Sequence, residues 1–398
     1  MEVWNEGKIR DFADVKGGKR LPKGKQLITE ANSHPYIRIR DLGKGKILEL
    51  NSDYEYVDDE TQKSIARYIV DAGDILISVV GTIGLIAIVG GSLDKANQTE
   101  NCDKIINLKG INRDYLYYYL VSPAGQEEIK RGTVGAVQPK LPLKNVQDIN
   151  IKYPSLETQE KIVSILSSID DKISINEVIN RNLQEQAIAI FCEKFGGCER
   201  NSTVGEVSLN VTDGIHNSVK DESESDYYLL SCKNIKDGSL SIGLNERKIS
   251  KETFDKLRKR TKLAKGDILL TSVGTIGEML LVNFEPNNIE FQRSVAIIKP
   301  NTEVVSAAYL YYALLAQKQE IIHAGHGAVQ QCIFLKDIMG FEIHKPDKNA
   351  MQGFDEIVNP IADMIINNHR ENERLCGMRD SLLPKLMSGE LDVSDLDI

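Results

Sequence analysis

The residues able to do chemistry in this 398-residue chain are scattered, and their spacing completes no reactive set. His323 and His326 sit three apart, as two metal ligands on one helix face would, but no cysteine or carboxylate set completes a site around them. An exposed loop pair suits them better. Gly81-Thr-Ile-Gly84 lacks the third glycine of a dinucleotide fingerprint, and no Gly-x-x-x-x-Gly-Lys-Ser/Thr phosphate loop occurs. The Pro346-Asp347 dipeptide is not followed by the Glu-x-Lys of a nuclease, and no Ser or Cys nucleophile falls in a strand-turn-helix context. The chemistry left is that of recognition, and the chain reads as a binding protein without a catalytic or metal site.

Two glycine-rich segments carry the first recognition signal. Gly132-Thr-Val-Gly-Ala-Val-Gln-Pro-Lys140 and Gly325-His-Gly-Ala-Val-Gln-Gln331 place glycines, which let a backbone approach a ligand closely, beside Gln138, Lys140, Gln330 and Gln331. A glutamine amide can make paired hydrogen bonds to an adenine edge. The same residues also suit an ordinary glycine-rich turn joining helix to strand. Basic clusters carry the second signal: Lys19, Arg20, Lys23, Lys25, Arg38 and Arg40 early in the chain, and Lys233, Arg258, Lys259, Arg260 and Lys262 later. Residues 247–265 hold nine Lys/Arg against two acids, a phosphate-tracking surface if folded onto one face and otherwise a solvated helix face.

The elements that must position these residues occur twice. Ala72-Gly-Asp-Ile-Leu-Ile-Ser-Val-Val-Gly-Thr-Ile-Gly84 returns as Lys265-Gly-Asp-Ile-Leu-Leu-Thr-Ser-Val-Gly-Thr-Ile-Gly277. Asp114-Tyr-Leu-Tyr-Tyr-Tyr-Leu120 returns as Ala308-Tyr-Leu-Tyr-Tyr-Ala-Leu314, and Gly135-Ala-Val-Gln138 as Gly327-Ala-Val-Gln330. Collinear matches at one near-constant offset mean a duplication. Each copy predicts short strands (75–79 and 85–89; 268–272 and 279–282) around the Gly-Thr-Ile-Gly turn, then a Tyr-rich amphipathic helix (115–120; 309–315).

Each copy ends in a long, nearly glycine-free segment with helical period. A 4-3 spacing runs Ile162, Leu166, Ile169, Ile173, Asn176, Asn180, Leu183 in the first and Ile357, Ile361, Met364, Asn368, Glu371, Leu375, Met378, Leu382 in the second. A sustained seven-residue repeat is a coiled-coil seam, and asparagine within it is a device for fixing register. Two amphipathic helices, each packed on its own domain, are the alternative. Residues 155–195 would span about 60 Å as a helix. The organisation expected is a first recognition domain over 1–154, a spacer helix over 155–195, a second domain over 196–346, and a second helix with tail over 347–398.

The chain is net acidic, with 49 Lys+Arg against 58 Asp+Glu, which by itself argues against a nucleic-acid partner. The excess is not uniform. Residues 155–195 carry 4 basic and 7 acidic groups and 347–398 carry 5 and 11, so the two helical segments hold the whole surplus and the rest balances. Six cysteines without a Cys-x-x-Cys pair, the lack of a secretory signal and the shortness of every apolar run point to the cytoplasm, away from a membrane.

At this point the residues resemble a family. Two variable domains carrying Gly-Asp-Ile-Leu and Gly-Thr-Ile-Gly, each followed by a long helix, resemble the specificity subunit of type I restriction-modification systems. Tyr153-Pro-Ser-Leu-Glu-Thr-Gln-Glu-Lys-Ile-Val163 is similar to the opening of that family's central region, and Arg379-Asp-Ser-Leu-Leu-Pro-Lys-Leu-Met-Ser-Gly-Glu-Leu391 to its C-terminal signature. One departure is Lys348-Asn-Ala-Met-Gln-Gly-Phe354, which opens the second helix without the Pro-x-x-x-x-Gln-Glu of the first. The resemblance implies an α+β protein of two target-recognition domains, whose helices pack as an antiparallel coiled coil with pseudo-two-fold symmetry. It implies a bipartite, asymmetric double-stranded DNA site, two methyltransferase subunits docked on the helices, and restriction subunits beyond them. It places S-adenosylmethionine, ATP and magnesium in those partners and no cofactor in this chain. A specificity subunit serving a fused methyltransferase-nuclease, or a coiled-coil scaffold binding only proteins, are the competing readings.

Overall fold

Alternation explains the sheets. In the run Ile75-Leu-Ile-Ser78 every residue is buried, yet Ile75 and Ile77 join one apolar cluster while Leu76 joins another. Successive strand residues point to opposite faces, so a continuous apolar run marks a strand covered on both sides. Ile268 and Leu270 separate from Leu269 in the same way.

The computed structural model describes residues 3–43, 45–217, 219–243, 245–327 and 331–396. They divide into two compact units, one of residues 1–174 with 372–398 and the other of 175–371. The first contains a five-stranded sheet of β1 (Asp14–Gly17), β2 (Ile47–Leu48), β3 (Ile75–Ser78), β4 (Ile86–Val89) and β5 (Cys102–Ile106), in the order β1-β5-β3-β4-β2. All neighbours are antiparallel except β2 and β4. Helices α1 (Arg113–Val121) and α2 (Pro123–Gly132) follow, then the long α3 (Leu156–Phe195), whose first half belongs to this unit.

The second unit repeats the plan. Its sheet is β6 (Ser208–Asp213), β7 (Ile268–Thr271), β8 (Met279–Leu281) and β9 (Val295–Pro300), ordered β6-β9-β7-β8, with the basic helix α4 (Lys251–Thr261) beside it in sequence. Helices α5 (Ala307–Ala316) and α6 (Lys318–His323) follow, and α7 (Lys348–Ser388) is the second long helix. Each unit also has a three-stranded sheet whose middle strand, Pro35–Ile37 or Tyr227–Leu230, is parallel to one neighbour and antiparallel to the other. The strand pairs and long helices fall where the sequence places them.

The Tyr-rich helices differ from expectation. They are not amphipathic: 115–120 and 308–315 are buried throughout. Tyrosine permits this because its hydroxyl can reach a polar partner from an apolar body. Tyr115 Oη donates to the Lys152 carbonyl at 2.7 Å and Tyr309 Oη to that of His344 at 2.6 Å. The duplicated tyrosine thus ties each helix to the strand that precedes the long helix.

Within each unit the long helices pair antiparallel. In the first, Arg379 bonds Asp170 at 3.0 Å and Asn372 Nδ2 donates to the Ile173 carbonyl at 3.3 Å. In the second, Asn176 Nδ2 donates to Glu371 at 2.7 Å and Asn368 Nδ2 to Asn180 Oδ1 at 2.7 Å. The buried Asn176 and Asn180 each hydrogen-bond across the seam, which fixes register because any slip would break these bonds.

On α3 the seam runs as read, with Ile162, Leu166, Ile169, Asn176 and Asn180 buried and Ile173 and Leu183 half-buried. On α7 half of it shifts by one residue. Ile361, Asn368, Leu375 and Leu382 keep their places, but Ile357, Met364 and Met378 stand exposed. Val358, Ile365, Asn372 and Arg379 take the inner positions instead. Apolar or polar residues occupy both phases of this helix, so spacing alone could not choose; the burial of Phe354 and Val358 against Phe191 did.

The C-terminal segment completes the first unit's core, where Leu386 is fully buried with Ile162 and Leu166. Leu386→Ala should therefore cost about 2–5 kcal/mol of stability. Hydrogen exchange should show new exposure in β3 and α1 and none in β7; equal loss in both sheets would contradict this division of the core.

Candidate nucleic-acid interface

Each unit builds its glycine loop on its Gly-Thr-Ile-Gly turn. In the turn of the first unit Gly81 and Gly84 both adopt positive φ, +80° and +84°, which side chains resist. Ser78 sets the turn: its Oγ donates to the Thr82 carbonyl at 2.6 Å and accepts from the Leu85 amide at 2.8 Å. Thr271 replaces it in the second unit, accepting from the Glu278 amide at 2.9 Å, with Gly274 and Gly277 again at positive φ.

The loop after α2 closes as a narrow hairpin. Val134 and Lys140 exchange two backbone hydrogen bonds of 2.8 and 2.9 Å, and Lys140 also bridges to Val80, the residue before the turn. The tip is tight: Gly135 has φ of +96°, and a Cβ there would lie 2.8 Å from the Gln138 carbonyl. Ala136, Val137, Gln138 and Lys140 stand exposed on it. In the second unit His326 and Cys332 exchange the same pair at 2.7 and 2.8 Å, and Cys332 bridges to Val273. Gln331 is exposed there, whereas Gln330 lies outside the described residues. In the first unit one hairpin is both a glycine-rich turn and an exposed tip.

The basic residues sort by what holds them. Lys23, Lys259 and Lys262 are exposed, without an ion-pair partner among the described residues, as is Lys140 at the loop. Lys19 is exposed with its Nζ 5.7 Å over the Tyr68 ring. Arg20 pairs with Glu100 at 2.7 Å and Lys233 with Glu246 at 3.0 Å, both at the surface, where such pairs hold weakly. Lys25 lies between Asp58 and Glu60, and Arg38 and Arg40 share Glu55. Arg40 also lies 3.7 Å from Asp41, so neighbouring carboxylates offset all three.

One expected phosphate contact is corrected by the structure. Arg258 gives Nε to the fully buried Glu290 at 2.5 Å and Nη2 to the Pro286 and Ile289 carbonyls. Arg260 gives Nη2 to the carbonyls of Asp213 and Gly214 yet stays exposed. The local +7 is thus a set of mostly exposed cations around one structural arginine, Arg258.

The early Lys16-Gly-Gly-Lys-Arg20 cluster owes its glycines to packing, since a Cβ on Gly18 would lie 2.0 Å from the Thr99 carbonyl. Beside Gly17 lies Asp103, whose carboxyl burial pushes up to about 6. A carboxyl raised in the folded state stabilises at low pH and loses that contribution as pH rises through about 6. Asp103→Asn should accordingly stabilise the first unit by about 1–2 kcal/mol at pH 7. In urea unfolding this difference should vanish by pH 4; a difference independent of pH would rule out ionisation as its source.

Sequence reasoning missed Val137, whose 94% exposure is a property of the folded tip. No group of three or more His, Cys, Asp or Glu able to hold a metal occurs among the described residues, and no helix there is long and apolar enough to cross a membrane.

Comparison with known proteins points to one family. Residues 1–185 match the family model of the type I restriction modification DNA specificity domain. Across 99% of this chain and 94% of the relative, it is 26% identical to the MjaIX type I restriction enzyme specificity subunit of Methanocaldococcus jannaschii. The chain is thus similar to type I restriction enzyme specificity subunits over nearly its whole length. The EcoBI specificity subunit of Escherichia coli is 23% identical over 98% of this chain and 86% of that one. The S subunit structure from M. genitalium shares the fold, with a TM-score of 0.50 at 17% identity, over 97% of this chain and 96% of that one.

Proposed function

We propose that this chain is a type I restriction-modification specificity subunit that reads a bipartite, asymmetric double-stranded DNA site, one half-site per globular unit, and docks methyltransferase and restriction subunits that act there. The observation carrying this is the pair of hairpins pinned to equivalent turns, each presenting amide or lysine groups on a duplicated scaffold. Duplication gives two reading surfaces; the differing residues around them give two different half-sites. Lys23, Lys140, Lys259 and Lys262 set position by phosphate contact, and Gln138, Gln330 and Gln331 reach base edges. S-adenosylmethionine, ATP and magnesium belong to the partner chains, and this chain supplies address without chemistry.

The acidic surplus on the two long helices keeps DNA off them and on the residues around the sheets. With 1–154 and 196–346 near neutral, the chain alone binds duplex DNA weakly. Titration of the chain with and without its methyltransferase partner, from 50 to 200 mM salt, should show affinity falling steeply with salt and rising with the partner. Affinity indifferent to salt, with protein partners still bound, would leave a scaffold in place of a DNA reader.

A further inference from the structure

We infer that Phe334 is a base-reading residue of the second unit, its ring packing against the C5-methyl of one thymine in that unit's half-site. The inference deepens the DNA-recognition reading and rests on it.

Among the described residues, which include every Phe, Tyr and Trp of the chain, Phe334 alone of these stands exposed, at 58%. The others are buried or half-buried, as their large apolar area favours. Its place is the base of the second unit's glycine loop. Cys332 exchanges backbone bonds with His326 and bridges to Val273, Ile333 donates its amide to the Ser272 carbonyl at 2.8 Å, and Phe334 follows. It therefore leaves the fold two residues from the frame and next to the Gly-Thr-Ile-Gly turn, on the surface assigned above to DNA. Folding has little use for it there. The position before a helix, here Leu335–Gly340, ordinarily goes to Ser, Thr, Asp or Asn, and a phenyl ring cannot cap.

The surroundings hold the ring still without covering it. His326 stacks on it, with 5.7 Å between centroids and 25° between planes. Asp337 secures both residues: its Oδ2 accepts from the Phe334 amide at 3.2 Å and lies 3.3 Å from His326 Nε2. A side chain fixed before contact has little rotamer freedom left to lose on binding. The first unit has no counterpart, since Val134, Pro142 and Asn145 stand at the corresponding positions and Asn145 Nδ2 donates to the Gly132 carbonyl at 2.7 Å. The duplex then names the contact. Major-groove base edges present donors, acceptors and the thymine methyl, and an apolar side chain matches the methyl. Set against a donor or an acceptor, the same ring would leave a polar group unpaired.

The test uses the full-length chain assembled with its methyltransferase partner. Selection from random duplexes defines both half-sites, and each thymine in them, on either strand, is replaced in turn by deoxyuridine, which lacks the methyl. At one thymine the replacement should weaken binding about fourfold in a way that depends on Phe334. Phe334→Ala should bind the thymine and deoxyuridine duplexes equally at that position, while keeping the parent's response to every thymine of the other half-site, which also reports that the variant is folded. Phe334→Leu, which keeps an apolar side chain, should retain the preference in weaker form. Methyl effects that are all unchanged in Phe334→Ala would overturn the inference with DNA recognition intact. So would a Phe334→Ala chain that loses the methyltransferase subunit and keeps every methyl effect, since the ring would then be a protein contact. Selection that enriches no sequence would instead defeat the recognition reading itself.

Discussion

Removing one heptad from each long helix, residues 176–182 together with 365–371, shortens the unread gap between half-sites by about three base pairs. Seven residues of helix span about 10.5 Å, and DNA rises about 3.4 Å per base pair. The choice of segments matters. Asn176 bonds Glu371 and Asn180 bonds Asn368, so the double deletion removes these polar pairs together and leaves none of the four residues behind. A seven-residue step also preserves the 4-3 phase on both helices. Deleting only one segment would leave half of these polar pairs facing apolar neighbours, at a cost of about 1–3 kcal/mol for each stranded group. Mapping methylated adenines in cells carrying the double deletion should return the original half-sites at reduced spacing, and the original site should lose methylation. An unchanged gap would mean that the helices do not set the distance.

Arg258→Ala is expected to unfold the second unit without testing any phosphate contact. Glu290 is fully buried and holds Arg258 at 2.5 Å, with Thr261 Oγ1 at 3.0 Å. Burial pushes its carboxyl up and the guanidinium draws it back down. Removing one partner of such a pair costs about 3–5 kcal/mol, because a charge stays buried without its counterion. The sign of the pH dependence follows. Without Arg258 the carboxyl rises further, and the folded state takes up a proton that the unfolded chain does not. The variant's deficit is then smaller at pH 5 than at pH 8. Arg258→Met with Glu290→Gln should recover much of the stability in urea unfolding, since no charge remains to strand. Lys259→Ala makes the contrast: stability unchanged, affinity for DNA reduced and its salt slope lowered by about one contact. If Arg258→Ala were as stable as the parent but defective in DNA binding, the phosphate role would stand and the structural one would fall.

These arginines show where sequence reading stopped. Charge is additive along a chain, so 247–265 is basic whatever it folds into. Which of its charges face water depends on partners 32 to 47 residues away, Glu290, Asp213 and Gly214, and no local pattern names them. The α7 seam failed for a related reason. Ile357, Met364 and Met378 are as apolar as Val358 and Ile365, so period fixed the helix while packing chose the phase. On α3 the seam keeps its phase although Ile175, Val178 and Ile179 beside its asparagines are apolar and exposed.

By itself the sequence determined the duplication, the strand pairs around Gly-Thr-Ile-Gly, both long helices to within a residue or two, and the resemblance to a family. These rest on local or repeated signals: alternation, heptad period, glycine at positive φ, and collinear self-similarity. Only the tertiary structure decided that Lys140 and Cys332 pin the glycine loops to the repeated turns and that the C-terminal segment completes the first unit's core. It also decided that Arg258 serves the fold while Lys259 and Lys262 face solvent. The physical reason is range. Backbone preference and periodicity act over a few residues and leave a mark in the sequence, whereas burial and pairing join residues tens to hundreds apart and exist only once the chain has closed on itself.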